Sequence, residues 1–264
     1  MYKPLLVMAA AAVVAGTPAF AADLPPAPPL YKAPPMVTAP MNWTGFYIGG
    51  DVGGAWSHSD SSWFGLPSAA AFTVNPTGGS NDGSGFAGGV HLGYNYQFAP
   101  AWVAGIEGDW TWTDAGGSNS QPWTAFGTGV PIGGGSATTL SSTVDWLASV
   151  RGRLGYLVTP SVLAYATGGA AWGRVHDSAT AADPVAGYLA STSFGTTADG
   201  WVVGGGVEWA MTRNWSLRGE YLYYRLYSGQ TAIVPAAGFP ANPSSFSFGD
   251  TSVSVVRAGL SYKF

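Results

Sequence analysis

Residues 101–114 read Ala-Trp-Val-Ala-Gly-Ile-Glu-Gly-Asp-Trp-Thr-Trp-Thr-Asp. Taken alternately, they separate into one face of Trp102, Ile106, Trp110 and Trp112 and another of Glu107, Asp109, Thr111 and Thr113. A strand turns successive side chains to opposite sides of its sheet, so a period of two marks β structure. The same pattern recurs outward in both directions. Thr44–Ser57 sets Phe46, Ile48, Val52 and Trp56 against Tyr47 and Asp51, and Gly85–Phe98 sets Phe86, Val90, Leu92 and Tyr96 against His91 and Asn95. Thr143–Val158 sets Val144, Trp146, Val150, Leu154 and Tyr156 against Asp145, Arg151 and Arg153. Ser161–Val175 alternates least clearly, being rich in Ala and Gly on both faces. Gly200–Met211, Asn214–Tyr227 and Ser252–Phe264 complete the series, with Glu208, Arg218, Glu220, Arg257 and Lys263 opposite their aromatic and aliphatic faces. Each of these eight segments exceeds the 9–11 residues or so that a strand needs to cross a bilayer.

Alternation also occurs in a β-sandwich, so other features decide. Ala99-Pro100, Thr159-Pro160 and Thr212-Arg213 are tight turns, whereas the other connections are long, as in outer-membrane barrels. Trp and Tyr cluster near the ends of the apolar faces, where a membrane girdle belongs. The chain is 47 % hydrophobic and 9 % charged, against about 25 % charged for a soluble domain. Ten Lys and Arg against fourteen Asp and Glu, net −4, leave no basic stripe for nucleic acid. No apolar run of about 20 residues follows the N-terminus, which excludes a polytopic helical membrane protein. These observations predict an all-β protein, an eight-stranded antiparallel up-and-down transmembrane barrel with long extracellular loops. It must close on itself, because an open sheet edge in hydrocarbon leaves backbone groups unpaired. An even strand count puts both termini on the periplasmic side. Loops near Ser59–Asp82, Gly116–Thr139, Ala179–Thr196 and Gln230–Phe248 then face outside.

The N-terminus reads as an address. Lys3, the apolar run Leu5–Ala15 and Ala19-Phe20-Ala21 make a signal peptide over residues 1–21. Residues 22–41 carry seven prolines and read as an extended periplasmic linker. The barrel takes residues 42–264. Absence of cysteine suits an exported chain.

The signal peptide, the tract ADLPPAPP after it, the opening Asn42-Trp43-Thr44-Gly45-Phe46-Tyr47-Ile48-Gly49-Gly50 and the closing Arg257–Phe264 are similar to a known family. They resemble the small outer-membrane immunogenic proteins of Gram-negative bacteria, among the porin-family, OmpA-like barrels. The resemblance covers essentially the whole chain. It implies location in the cell outer membrane, a surface antigen that stabilises the envelope, and a C-terminal strand read by the barrel-assembly machinery. It also implies two alternatives, a weak small-solute porin and a haemin-binding or hydrophobic-ligand-binding surface protein. It brings no catalytic motif.

Four places invite a functional reading. His58 and His176 near the outer rim lie among serines, but no local motif places a base and an orienting group beside a nucleophile, so no enzyme is expected. No two histidines share a ligand spacing, so neither metal nor cofactor is expected. The loop aromatics Trp63, Phe64, Phe72, Trp123, Phe126, Tyr188, Phe239, Phe246 and Phe248 either bind a hydrophobic ligand such as haemin or pack the loops together; the second is favoured. Arg174 and Arg225 share the lipid-facing parity at the outer ends of their strands, where lipopolysaccharide phosphates are candidate contacts. Lastly, Asp51, Glu107, Asp109, Asp145, Glu208 and Glu220 face inward with Arg151, Arg153, Arg218, Arg257 and Lys263. Near-balance in a narrow interior predicts an ion-pair network centred on Glu107, Arg151, Arg218, Glu220 and Arg257 that occludes the lumen.

Overall fold

The structure, a computed structural model, describes residues 41–65, 77–125, 129–237 and 239–264. The signal peptide, nearly all of the proline-rich tract, Phe72 and Phe126 lie outside the described residues. The strands are β1 (Gly45–Gly65), β2 (Thr77–Ala99), β3 (Trp102–Pro122), β4 (Ala137–Thr159), β5 (Val162–Asp183), β6 (Tyr188–Ala210), β7 (Trp215–Leu226), β8 (Gln230–Ala236) and β9 (Phe239–Lys263). All pairings are antiparallel, and β1–β7 and β9 close into a ring of eight through the β7–β9 and β9–β1 ladders. Following register partners once around leads from Ile48 through Leu92, Gly108, Val150, Ala170, Trp201, Arg225 and Ser252 back to β1 at His58. That stagger of ten residues (58 minus 48) tilts the strands by about 35–45°.

The alternation acts as the sequence requires. Phe46, Ile48, Val52, Phe86, Leu92, Ile106, Trp112, Leu154 and Val207 are exposed on the outside, while their neighbours in sequence turn inward. Outside the bilayer the strands run on. Ser59–Gly65, Thr77–Asp82, Gly116–Pro122, Ala179–Asp183 and Tyr188–Thr196, which read as loops in the sequence, are strand. No lipid meets their outer face, so Ser, Thr, Asn and Gly stand there and the apolar half of the alternation is lost.

One inward assignment is overturned. In β4, Val144 pairs with Val175 and Trp146 with Arg174, so Asp145 is an extra residue that bulges and exchanges the faces on either side of it. Val144 therefore lies buried inside the barrel, and Asp145 points outward beside Arg174. Lys263 keeps the inward parity in register with Tyr47, at the periplasmic end, with Nζ donating to the Asn42 carbonyl.

The interior is stacked in layers. Down β4, the inward side chains are Leu140, Ser142, Val144, Leu147, Ser149, Arg151 and Arg153. The periplasmic end holds Trp43, Val103, Leu163, Tyr165 and Ala210, with Met41 and Leu157 against them. Trp43 reaches across the mouth, its Nε1 donating to the Pro160 carbonyl at 3.2 Å. The charged layer comes next. Above it lies a second apolar layer that includes Ala55, Val144, Leu147, Val175, Leu222, Tyr224, Leu226, Val253 and Val255. A third fills the outermost extension with Trp63, Trp123, Leu140, Phe246 and Phe248.

One seam interrupts the wall. The β6–β7 ladder ends at Gly200↔Leu226, with the Tyr227 amide donating to the Asp199 carbonyl, and backbone contact resumes only at the Leu189–Ala237 bridge. Both pairs add to 426 (199 + 227 and 189 + 237), so β7 and β8 hold one register against β6 while the ladder between stays open. Midway, Gln230 donates its side-chain amide to Thr196 Oγ1 across the opening. Unpaired backbone is tolerable only outside hydrocarbon. The bilayer therefore ends at or below Asp199. In hydrogen exchange, the β6 amides of Ala190–Ala198 that face β8 should exchange much faster than those of Gly200–Ala210 that face β7. Equal protection along the strand would show that the seam is closed.

Candidate functional site in the barrel lumen

The charged layer is built from parity and stagger together. Asp51 (β1), His91 (β2), Glu107 and Asp109 (β3), Arg151 and Arg153 (β4), Glu208 (β6), Arg218 and Glu220 (β7) and Arg257 (β9) all occupy inward positions and are buried. In the ring, β3 and β7 are four strands apart and face each other across the axis. Arg218 spans that gap, donating from Nη1 to Glu107 at 2.6 Å and from Nε and Nη2 to Asp51 at 3.1 and 3.0 Å. Arg151 reaches three carboxylates: Glu107 at 2.5 Å, Asp109 at 3.0 Å and Glu220 at 3.1 Å. Arg257 donates to Glu220 at 2.8 Å and to Asp109 at 3.4 Å. Glu107, Arg151, Arg218, Glu220 and Arg257 thus stand in one connected cluster.

Further groups complete it. Arg153 donates to Glu208 at 2.7 Å and lies over the Tyr165 ring, 3.9 Å from its centroid. The hydroxyls of Tyr47, Tyr165 and Ser149 donate to Glu107, Glu220 and Asp109 at 2.7, 3.2 and 2.5 Å. His91 sits with Nδ1 2.7 Å from Asp51 and Nε2 2.8 Å from Ser261 Oγ. Space for the widest pair comes from Gly259, where a Cβ would lie 2.1 Å from Asp51 Oδ1 and 3.1 Å from Arg218 Nε. Tyr165 does not stand out in the sequence, because Leu163, Ala164 and Ala166 around it are apolar on both parities and no charge alternation marks its face.

Buried charge is costly unless paired, and removing one partner of such a pair costs about 3–5 kcal/mol. Each of these guanidiniums meets more than one carboxylate, as its planar fork permits. Arg218→Ala leaves both Asp51 and Glu107 short of a partner. It should lower unfolding stability in lipid vesicles by about 3–5 kcal/mol, whereas the half-exposed Arg225→Ala should change it by about 1 kcal/mol or less. Equal small losses would show that the lumen is hydrated enough to screen its charges.

The remaining sequence-derived positions are dispersed. Trp63 and Trp123 stack at 4.9 Å inside the outer extension, Tyr188 meets Trp123 edge-on, and Phe194 meets Phe248 likewise. Of the loop aromatics, Phe64 is exposed. His58 lies 2.5 Å from Asp82, and His176 Nε2 3.1 Å from Ser193 Oγ, both on the outer surface. Arg174 and Arg225 emerge half-exposed on the outer face, each beside an aspartate.

An antiparallel ring with an aromatic and aliphatic exterior and a charged interior defines a β-barrel of the bacterial outer membrane. The chain belongs to the outer membrane protein beta-barrel domain family, whose model matches residues 7–264. It is 36 % identical to the 31 kDa outer-membrane immunogenic protein of Brucella melitensis, over 98 % of this chain and 99 % of that protein. It is 30 % identical to the 22 kDa outer membrane protein of Rhizobium leguminosarum bv. viciae, over 84 % of this chain and 79 % of that one. Among solved structures, the attachment invasion locus protein Ail of Yersinia pestis is similar over 84 % of this chain and 99 % of its own, with 14 % identity and a TM-score of 0.38. This is an outer-membrane protein.

Above the bilayer, burial pushes the Asp177 carboxyl upward, against a hydrogen bond from Ser142 that lowers it. A carboxyl raised in the folded state favours folding below its ordinary range and loses that contribution as pH rises. Asp177→Asn should therefore raise the melting temperature at pH 7, and the gain should vanish near pH 3, below the ordinary value of about 3.9. A gain that persists at low pH would assign the effect to packing.

Proposed function

We propose that this chain is a non-conducting structural barrel that contributes to envelope integrity and displays its outer extension as a surface antigen. One observation carries the reading: the charged layer lies between two apolar layers inside a ring of eight strands. An ion following the axis would have to shed water at Trp43 and Leu163, break the Arg218–Glu107 and Arg151–Glu220 pairs, and shed water again at Leu147 and Leu222. Eight-stranded barrels have interiors that side chains can fill. Here the side chains are long and mutually paired.

The alternatives draw less support. A porin needs a continuous wet path, and the apolar layers stand across it. Haemin binding through the loop aromatics needs them at the surface, whereas Trp63, Trp123, Phe246 and Phe248 are buried against each other. The proposed role is non-catalytic. In a planar bilayer the refolded protein should give no discrete conductance steps. Reproducible ohmic steps from the wild-type chain would overturn the reading in favour of a porin.

A further inference from the structure

Two irregularities of the sheet deliver an aspartate to the outer girdle. In β4 the extra residue is Asp145. In β9, Gly249 and Asp250 together oppose Asp60 alone, between the pairs Ser59↔Thr251 and Ser61↔Phe248. Bulges re-aim side chains. Each of these aims an aspartate at an arginine of the adjacent strand. Asp145 Oδ2 lies 3.7 Å from Arg174 Nε, and Asp250 Oδ2 accepts from Arg225 Nη2 at 3.3 Å. Each arginine also faces a tryptophan in register, Trp146 opposite Arg174 and Trp201 opposite Arg225. The same set of Trp, Arg and Asp therefore occurs twice, with the two arginines on the strands that flank β6.

Cationic donors are confined to these two places on the outer rim. Among the described residues, Arg174 and Arg225 are the arginines and lysines on the outer rim; Arg213 and Lys263 lie at the periplasmic end and the rest in the lumen. Asp60, Asp82, Asp114 and Asp199 make the remaining outward rim acidic. Asp250 accepts a hydrogen bond from Arg225 and Asp145 is an ion-pair neighbour of Arg174, and both leave further donors of the fork for a second acceptor. Gly195 gives Arg174 room, since a Cβ there would lie 3.0 Å from Nη2, so the guanidinium extends over β6 toward the Arg225 side. Arg174 pairs with Thr197 of β6 and Arg225 with Trp201, so the two are two strands and four residues apart. That is roughly 16 Å over the unrolled sheet, which two long side chains can narrow.

We propose that Arg174 and Arg225, held by Asp145 and Asp250, form a docking site for one bis-phosphorylated glycolipid headgroup of the outer leaflet, one guanidinium to each phosphoryl group. The position fits the occupant, because these arginines stand where the aromatic girdle ends and the open β6–β8 seam begins. Lipid phosphates lie at that level.

The test uses the full chain refolded in detergent. Its probes are a bis-phosphorylated acylated glucosamine disaccharide and the mono-phosphorylated counterpart. Wild-type protein should bind the first about tenfold more tightly than the second, and Arg174→Ala/Arg225→Ala should remove at least that factor, with an unchanged melting temperature. Gly195→Val keeps both arginines and should still weaken binding by displacing Arg174, which keeps the test valid if the double variant folds poorly. Excess inorganic phosphate should not displace the lipid. The proposal is overturned by equal affinity for the two probes, by unaltered binding in the variants, or by displacement with inorganic phosphate, which would mark an anion site without lipid preference.

Discussion

Charge enclosed in a narrow, lipid-surrounded barrel has to meet opposite charge, and this constraint organises the interior. Arg218 on β7 reaches Glu107 on the facing β3 and Asp51 on β1, so one side chain ties three strands across the axis. Those contacts exist only because the sheet closes with a stagger of ten residues, which brings residues far apart in sequence to one level. In turn, the contacts explain features that sheet geometry alone does not require. Gly259 has no side chain because Asp51 and Arg218 occupy that space. Tyr47 and Tyr165 place hydroxyls where Glu107 and Glu220 have acceptor capacity to spare.

The apolar layers follow from the same constraint. A salt-bridge cluster open to water at either end would be screened and weakened. Trp43, Leu163 and their neighbours close the cluster on the periplasmic side, while Leu147, Leu222, Tyr224 and Val255 close it on the outer side. Each layer thus serves the other: dehydration strengthens the ion pairs, and the ion pairs make it possible to bury the carboxylates at all. The lumen is a second core, and the membrane-facing side chains are left to meet lipid.

Much of this was legible in the sequence where a strict period of two survives. The lipid-facing row of Trp102, Ile106, Trp110 and Trp112 and the inward row of Glu107 and Asp109 stand where alternation puts them. Alternation fails at a bulge, because one extra residue exchanges the faces, and so a strict period of two puts Val144 and Asp145 on the wrong sides. It also fails where both faces are apolar. Leu222-Tyr223-Tyr224 offers no contrast, and the inner apolar layer to which Leu222 and Tyr224 belong was invisible. Which carboxylate meets which arginine depends on the stagger, a property of the closed ring. The strand extensions beyond the bilayer carry no alternation that lipid would enforce, and they read as loops.

The most direct test of the account is a double-mutant cycle across the axis, with Arg218→Met, Glu107→Gln and the pair measured by equilibrium unfolding in lipid vesicles. If the two groups are buried and depend on each other, the double variant should be more stable than the sum of the single losses by about 1–3 kcal/mol. Strictly additive losses would mean that Arg218 and Glu107 are solvated independently, and the closed, mutually paired lumen would have to be abandoned.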